Sequence, residues 1–201
     1  MTDNNWLIDN DGQSHRFEHS PLTEPEQPYR LYRFLTDLED ILLDELDDHQ
    51  RLQRIIPLVR QLLTSAYWLQ MEFDQPGAKG WSVRFLYREY GFPLTVQMVA
   101  WAPGQQSTIH NHATWGIVAL VGGAEKNQLW QRQPSADHPH QIVPTGDLTL
   151  APGDIIGFMP GAIHQVKPLG DEPTVSFNLY GVTDKPNRYQ FDPTQKTAKR
   201  F

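Results

Sequence analysis

Three histidines in strand-like segments have the residue type and the spacing of metal ligands. One residue separates His110 from His112, and because successive side chains of a strand point to opposite faces, both imidazoles project from the same face. Two imidazoles on one face can bind a single ion. His164 follows a glycine turn at Gly161 in a second strand-like segment, and it is the candidate for the third ligand.

Three imidazoles at one corner make an open metal site. They leave free positions on a six-coordinate ion, which catalytic metals need and structural zinc sites lack. Because the three ligands are neutral, the ion keeps its full positive charge and attracts an anionic group of a substrate. The pattern therefore predicts one mononuclear, catalytic metal ion.

The turns before these histidines carry a wider resemblance. Gly104 precedes His110 with five residues between them, and Gly153 and Gly161 precede His164. These glycines and histidines resemble the two sequence motifs of the cupin superfamily. The resemblance implies a mainly β fold, a double-stranded β-helix or jelly-roll-like barrel. The short strand-like runs between glycine and proline turns favour the same architecture.

One departure from the cupin pattern narrows the resemblance. Most cupins place a glutamate ligand a few residues after the second histidine, where this chain has Gly116 and Ile117. Without that glutamate, and with residues 101–105 and 114–116 as they stand, the chain resembles the thiol dioxygenase branch, the cysteine dioxygenase type I family. It is similar above all to the bacterial members that act on 3-mercaptopropionate. The resemblance extends over residues 67–193, which is most of the chain.

The family resemblance implies the cofactor and the reaction. It implies Fe(II) on His110, His112 and His164, with Zn or Ni as other divalent metals that the purified protein could carry. The substrates are then dioxygen and a small thiol carboxylate of the cysteine or 3-mercaptopropionate type, and the product is the sulfinate. Ferrous iron suits a thiol substrate because the ion itself helps to deprotonate the thiol.

Two arginines are candidates for binding the substrate carboxylate, because the planar guanidinium forms two parallel hydrogen bonds with a carboxylate. Arg84 lies on the strand before the first motif and corresponds to the carboxylate-binding arginine of animal cysteine dioxygenases. Arg188 resembles the arginine that the bacterial 3-mercaptopropionate enzymes use. Either arginine could instead form a surface ion pair, and the sequence does not rank the two.

Ser176, Asn178 and Tyr180 share one face of the last long predicted strand. The resemblance implies a catalytic role for them, because thiol dioxygenases carry a Ser-His-Tyr hydrogen-bonded relay here, with the tyrosine hydroxyl at the oxygen site. Asn178 replaces the histidine; its amide can orient Tyr180 but cannot titrate near neutral pH. The chain has no cysteine, and Gly116 stands near the place of the cysteine that crosslinks to tyrosine in animal enzymes. That crosslink cannot form here.

Two other functions remain open from the sequence. Asn178 leaves room for a different metal-dependent cupin enzyme, either an isomerase or a dioxygenase of a non-thiol substrate. A non-catalytic small-molecule sensor with a cupin pocket is the alternative from another functional class.

Composition limits the partners of the protein. The 201 residues carry a formal net charge of −7 and no cysteine. The acidic balance argues against nucleic acid or an anionic membrane surface as a partner, and the absence of cysteine excludes disulfides and thiolate metal sites. The sequence contains no apolar run of membrane-spanning length and no secretory signal. We therefore expect a cytoplasmic protein with small-molecule partners, as a monomer or homodimer.

The chain divides into four predicted regions: a mobile N-terminal arm at 1–30, a helical extension at 31–66, the barrel with the metal site at 67–195 and a basic tail at 196–201. His15 and His19 in the arm are expected to be solvated. A second histidine pair, His138 and His140, flanks Pro139 and is predicted to lie on an exposed loop without a specific metal role.

Two helices are predicted in the extension, packed on the outside of the barrel. Thr36 and Glu39 have the spacing of a capping box, which predicts the start of the first helix there. The second helix is predicted to begin near Asp47, and to kink or restart at Pro57, which lacks a backbone donor.

Overall fold

The computed structural model describes residues 4–17, 28–44 and 47–200. Within these ranges there are two α-helices, α1 (Leu31–Leu43) and α2 (Asp48–Ser65), and two 3-10 helices, Tyr67–Met71 and Lys185–Asn187. The strands are β1 (Asn5–Ile8), β2 (Ser14–Phe17), β3 (Trp81–Arg88), β4 (Thr95–Trp101), β5 (Ile109–Asn111), β6 (Gly116–Gly122), β7 (Ala124–Arg132), β8 (Ile142–Leu150), β9 (Ile155–Phe158), β10 (Ile163–Leu169), β11 (Thr174–Tyr180), β12 (Tyr189–Asp192) and β13 (Thr197–Arg200).

The described strands form two sheets. One has the strand order β2-β1-β9-β6-β11-β4-β3, and the other has the order β13-β12-β5-β10-β7-β8. Neighbouring strands are antiparallel except for β1 and β9, which are parallel. Apolar residues of both sheets, such as Val118 on β6 and Leu148 on β8, pack in one buried cluster. The predicted fold class, a mainly β double-stranded β-helix with helices outside it, is confirmed.

The alternation of side chains along β11 separates the core from the interior of the barrel. Phe177 and Leu179 are fully buried in the cluster that includes the helices. Ser176, Asn178 and Tyr180 alternate with them along the strand and project to the opposite face, where they line a cavity. The strand therefore uses its apolar face to anchor the helices and its polar face to form the wall of a site.

Helix α2 packs against the outer face of the first sheet. Gly157 on β9 permits the close approach, because a Cβ added there would lie 3.2 Å from Cδ1 of Ile56. The N-terminus of α2 has a capping box, in which the Asp47 side chain accepts from the Gln50 backbone and the Gln50 side chain from the Asp47 backbone. The predicted start near Asp47 is confirmed, and α2 continues through Pro57 as one helix.

The predicted start of the first helix is wrong. Helix α1 already begins at Leu31, and the hydroxyl of Thr36 donates to the backbone oxygen of Tyr32 within the helix. A threonine in a helix interior satisfies its hydroxyl in this way, so the capping-box spacing at Thr36 did not mark a helix end.

The two predicted terminal segments are corrected in part. Residues 5–17 of the predicted mobile arm contain β1 and β2, and β1 extends the first sheet by pairing with β9. The side-chain amide and the backbone NH of Asn4 both donate to Asp154, which holds this strand in place. Residues 1–3 and 18–27 of the arm, including His19, lie outside the described residues. Most of the predicted basic tail forms β13, paired with β12.

In the part of the chain that the structure describes, no helix combines the length and the hydropathy needed to cross a bilayer.

Candidate metal centre

The three predicted ligands meet where β5 and β10 pair. His110 lies directly opposite His164 in this antiparallel pair, and His112 follows two residues after His110, just beyond the end of β5. Ala113 then adopts a positive φ of 51°, so the chain turns immediately after the ligand pair. The short strand and the turn bring all three imidazoles to one end of the cavity.

The nitrogen atoms of the three histidines are close enough to bind one ion. Nε2 of His112 lies 3.0 Å from Nε2 of His164, and the candidate ligand atoms of all three residues lie within 4.8 Å of one another. Two nitrogens that each lie about 2.1 Å from one ion are roughly 3.0 Å apart when their bonds to it form a right angle. The spacing of His112 and His164 therefore fits adjacent ligand positions on a metal.

Hydrogen bonds at the other ring nitrogen orient two of the ligands. Nδ1 of His110 lies 2.9 Å from the backbone oxygen of Thr108, and Nδ1 of His164 lies 2.9 Å from Oδ1 of Asn127. Both partners are acceptors, so each Nδ1 carries the proton and each Nε2 is left with the lone pair that binds metal. The protein thus fixes the tautomers of these two ligands.

Burial keeps these imidazoles neutral. Loss of solvation lowers the pKa of His110 to about 4, and it lowers the pKa of His112 and His164 well below the ordinary value. The positive charge of Arg188 lowers the pKa of His110 and His112 further. Neutral imidazole is the form that binds metal, so the site is ready for a cation near neutral pH.

A cavity of about 500 Å³ extends from the three histidines into the space between the sheets. Its wall combines apolar side chains, such as Val99 and Val118, with the polar face of β11. Ligand cavities of this size and mixed lining accommodate small molecules rather than polymers.

The polar face of β11 forms a continuous hydrogen-bonded chain. The Tyr180 hydroxyl donates to Oδ1 of Asn178 over 2.9 Å, and Nδ2 of Asn178 donates to Oγ and the backbone oxygen of Ser176 over 2.8 and 3.0 Å. The backbone oxygen can only accept, which fixes the orientation of the Asn178 amide. Burial also raises the pKa of Tyr180, so its hydroxyl keeps its proton.

Tyr180 lies against both the metal ligands and Gly116. Its ring centroid is 4.6 Å from that of His112. A Cβ added at Gly116 would lie 2.8 Å from Cδ1 of the Tyr180 ring, closer than any ordinary contact. The glycine therefore provides the space that the tyrosine ring needs beside His112.

The structure brings only one of the two predicted arginines to the cavity. Arg188 is half-buried in the cavity wall. Arg84 is exposed on β3 and forms ion pairs with Glu72 and Asp74, at 2.9 and 3.5 Å. Its neighbour Val83 lines the cavity instead, because adjacent residues of a strand face opposite sides. Arg84 is therefore not placed to bind a ligand of the three histidines.

Glu125 and Asn127 on β7 are functional candidates that the sequence interpretation missed. Nδ2 of Asn127 donates to Oε1 of Glu125 over 3.1 Å, so a hydrogen-bonded chain connects Glu125 through Asn127 to His164. Both residues alternate with half-buried neighbours and share a face with buried Leu129. Polar residues at buried strand positions were the available signal.

The second histidine pair does not form a comparable centre. His138 and His140 lie in the loop between β7 and β8, and the ring of His140 packs 5.5 Å from that of Tyr189. Among the described residues the grouping of three candidate ligands contains neither histidine. His15 is exposed on β2 and lies 3.1 Å from the carboxylate of Asp9.

No family model matches this sequence. The chain is similar in fold to cupin domains. A cupin-2 domain protein from Rhodospirillum rubrum matches 51% of this chain and 60% of its own length, at 16% identity and a TM-score of 0.41. A double-stranded β-helix protein from Klebsiella pneumoniae matches 57% of this chain and 88% of its own, at 18% identity and a TM-score of 0.43.

An oxalate oxidase in complex with glycolate matches 54% of each chain, at 13% identity and a TM-score of 0.40. This chain therefore aligns with little more than half the length of that enzyme and of the Rhodospirillum protein. The likeness to these cupin structures concerns the fold alone, and the chemistry has to be argued from the site.

Proposed function

We propose that the protein is an iron-dependent thiol dioxygenase that oxidises a small thiol carboxylate to its sulfinate. The observation that carries the proposal is the ligand set, which consists of three neutral imidazoles with a cationic arginine beside them in a small cavity. A site without a ligand carboxylate favours anionic donors from the substrate, such as a thiolate.

His110, His112 and His164 would hold the ion. The bonds to Thr108 and Asn127 direct the lone pairs of His110 and His164, and burial keeps all three imidazoles unprotonated. When bound, ferrous iron supplies a cationic centre for a sulfur donor and the redox chemistry of oxygen insertion. The overall reaction, a thiol plus dioxygen giving a sulfinic acid, balances without another reductant.

Arg188 is the candidate for holding the substrate carboxylate. It lines the same cavity as His110 and His112, and its charge lowers the pKa of both histidines. A partly desolvated guanidinium binds a carboxylate more strongly than one in water. The carboxylate would thus be held at a fixed distance from the metal, with the sulfur directed to the histidines.

Tyr180 is the candidate for contacting the reacting group. Its hydroxyl proton is engaged by Asn178, so the hydroxyl oxygen can accept a hydrogen bond from a ligand without any rearrangement. Donation from Tyr180 to the ligand requires breaking the bond to Asn178. In this chain the Ser176–Asn178–Tyr180 arrangement therefore positions the ring and hydroxyl beside His112 and does not relay a titratable proton.

Oxygen uptake with cysteine and 3-mercaptopropionate, measured together with metal content, tests this function. We expect thiol-dependent uptake that is proportional to bound iron and is abolished in His164→Ala, while His138→Ala retains both iron and uptake. Iron without thiol-dependent uptake would point to another metal-dependent cupin enzyme. Thiol binding without uptake would point to a sensor.

A further inference from the structure

Glu125 places a carboxyl group inside the cavity. The residue is 2% exposed and belongs to the cavity wall. Oε1 accepts the hydrogen bond from Asn127, whereas Oε2 has no hydrogen bond among the residues that the structure describes. Within the same ranges, no lysine, arginine or histidine forms an ion pair with Glu125. One oxygen is thus available to a molecule in the cavity.

A carboxyl group in this place is unfavourable for the protein alone. Burial without a cationic partner destabilises the ionised form, and it raises the pKa of Glu125 to about 7. The amide of Asn127 needs only an acceptor, which a neutral glutamine would provide. The need of Asn127 for an acceptor therefore does not explain why residue 125 is a glutamate, whereas binding of a cation by Glu125 would explain it.

The charges around the cavity complement a ligand with two opposite charges. Arg188, Glu125 and Tyr180 all line this cavity, and the two charged groups act on the pKa of Tyr180 in opposite directions, Arg188 lowering it and Glu125 raising it. A ligand carboxylate would pair with Arg188, and a protonated ligand amine would pair with Glu125. Each ion pair would compensate the ligand group for the water that it loses on entering the cavity. A ligand without the amine leaves the Glu125 carboxylate unpaired.

We propose that Glu125 recognises a protonated amine on the ligand of this cavity. The amine is a strong hydrogen-bond donor and a cation, and the oxygen that Asn127 leaves available can accept a hydrogen bond from it. Combined with the proposed thiol function, on which this part rests, the preferred substrate class is a zwitterionic aminothiol carboxylate rather than a simple mercapto acid. Glu125 thereby determines specificity without being a metal ligand.

Four compounds test the proposal and the thiol function separately. Cysteine, 3-mercaptopropionate, serine and 3-hydroxypropionate differ in the sulfur or oxygen donor and in the presence of the amine. Their affinities for the iron-loaded protein are measured by calorimetry without oxygen. We expect the amine to strengthen binding about tenfold or more, which is the effect of one charge-assisted contact, and sulfur to strengthen it further.

Glu125→Gln should reduce the affinity ratio between cysteine and 3-mercaptopropionate to near one, while Glu172→Gln, which changes an exposed glutamate, should preserve the ratio. If Glu125→Gln does not fold, Glu125→Asp, which keeps the charge on a shorter side chain, should give an intermediate ratio. An amine effect absent from the parent protein, or unchanged in Glu125→Gln, would overturn the assignment. Equal affinities of thiols and alcohols would refute the thiol function, and the amine comparison would still decide the role of Glu125. Failure of all four compounds to bind would overturn both.

Discussion

Glu125→Gln is expected to stabilise the metal-free protein at alkaline pH. Burial raises the pKa of Glu125 from its ordinary value of 4.5 to about 7. Between these two values the folded protein retains a proton that the unfolded chain has released, so the free energy of unfolding falls as the pH rises. The contribution is fully present below the unfolded pKa and is lost above about pH 7.

The size of this effect follows from the shift. Each unit of pKa corresponds to about 1.4 kcal/mol, so ionisation of Glu125 in the folded protein destabilises it by about 3 kcal/mol. Glutamine has nearly the same shape, keeps an acceptor for Asn127 and carries no charge. We therefore expect Glu125→Gln to raise the free energy of unfolding by up to about 3 kcal/mol near pH 8 and to change it little near pH 4.

Urea denaturation of the metal-free parent and variant, followed by circular dichroism in the presence of a chelator, measures this difference. The comparison at two pH values cancels the contributions of all other titrating groups. Glu172→Gln is the control, and its stability should follow that of the parent at both pH values. A Glu125→Gln variant that is less stable than the parent near pH 8, or equally shifted at both pH values, would refute the buried and unpaired state of Glu125.

Three further predictions concern the metal and the substrate groups. Asn127→Ala should weaken metal binding about 10- to 100-fold, because His164 loses the acceptor that fixes its tautomer. Gln128→Ala, on the opposite face of β7, should leave metal binding unchanged, and calorimetric metal titration distinguishes the two variants. Arg188→Ala should raise the Michaelis constant for the thiol carboxylate by roughly 30-fold or more, as expected when a buried carboxylate loses its partner. Arg84→Ala should leave this constant nearly unchanged. Equal effects of the two variants in steady-state kinetics would contradict the orientation of Arg84. Gly116→Ala should displace the Tyr180 ring, which lies 2.8 Å from the added Cβ, and reduce turnover while iron content is retained; unchanged turnover would exclude a role for the position of that ring.

The metal ligands could be predicted because their signal is local. His110 and His112 share a face through the two-residue period of a strand, and the glycine turns mark where strands end. The same period predicted that Ser176, Asn178 and Tyr180 share a face, and the structure joins them by hydrogen bonds. Applied to β3, the period shows that Val83 and Arg84 face opposite sides, but only the structure shows that Val83 is the one that lines the cavity.

The other parts depend on pairings between distant segments. β1 is short, and the residues that flank it in sequence are mostly polar. Its place in the sheet becomes evident only from its pairing with β9, which is distant in sequence. The role of Asn127 depends on β7 lying next to β10, so that its side-chain oxygen reaches Nδ1 of His164. Sequence spacing carries no information about such pairings. Glu125 remained unnoticed for the same reason, since its neighbours in the fold are what make its charge unusual.

The incorporation of labelled oxygen tests the central proposal most directly. The iron-loaded protein is supplied with cysteine or 3-mercaptopropionate under isotopically labelled dioxygen, and the mass of the product is determined. A thiol dioxygenase gives a sulfinate in which both added oxygen atoms carry the label, and His164→Ala gives none. A product without the label, or labelled dioxygen that is consumed without any sulfinate, would contradict the proposed function.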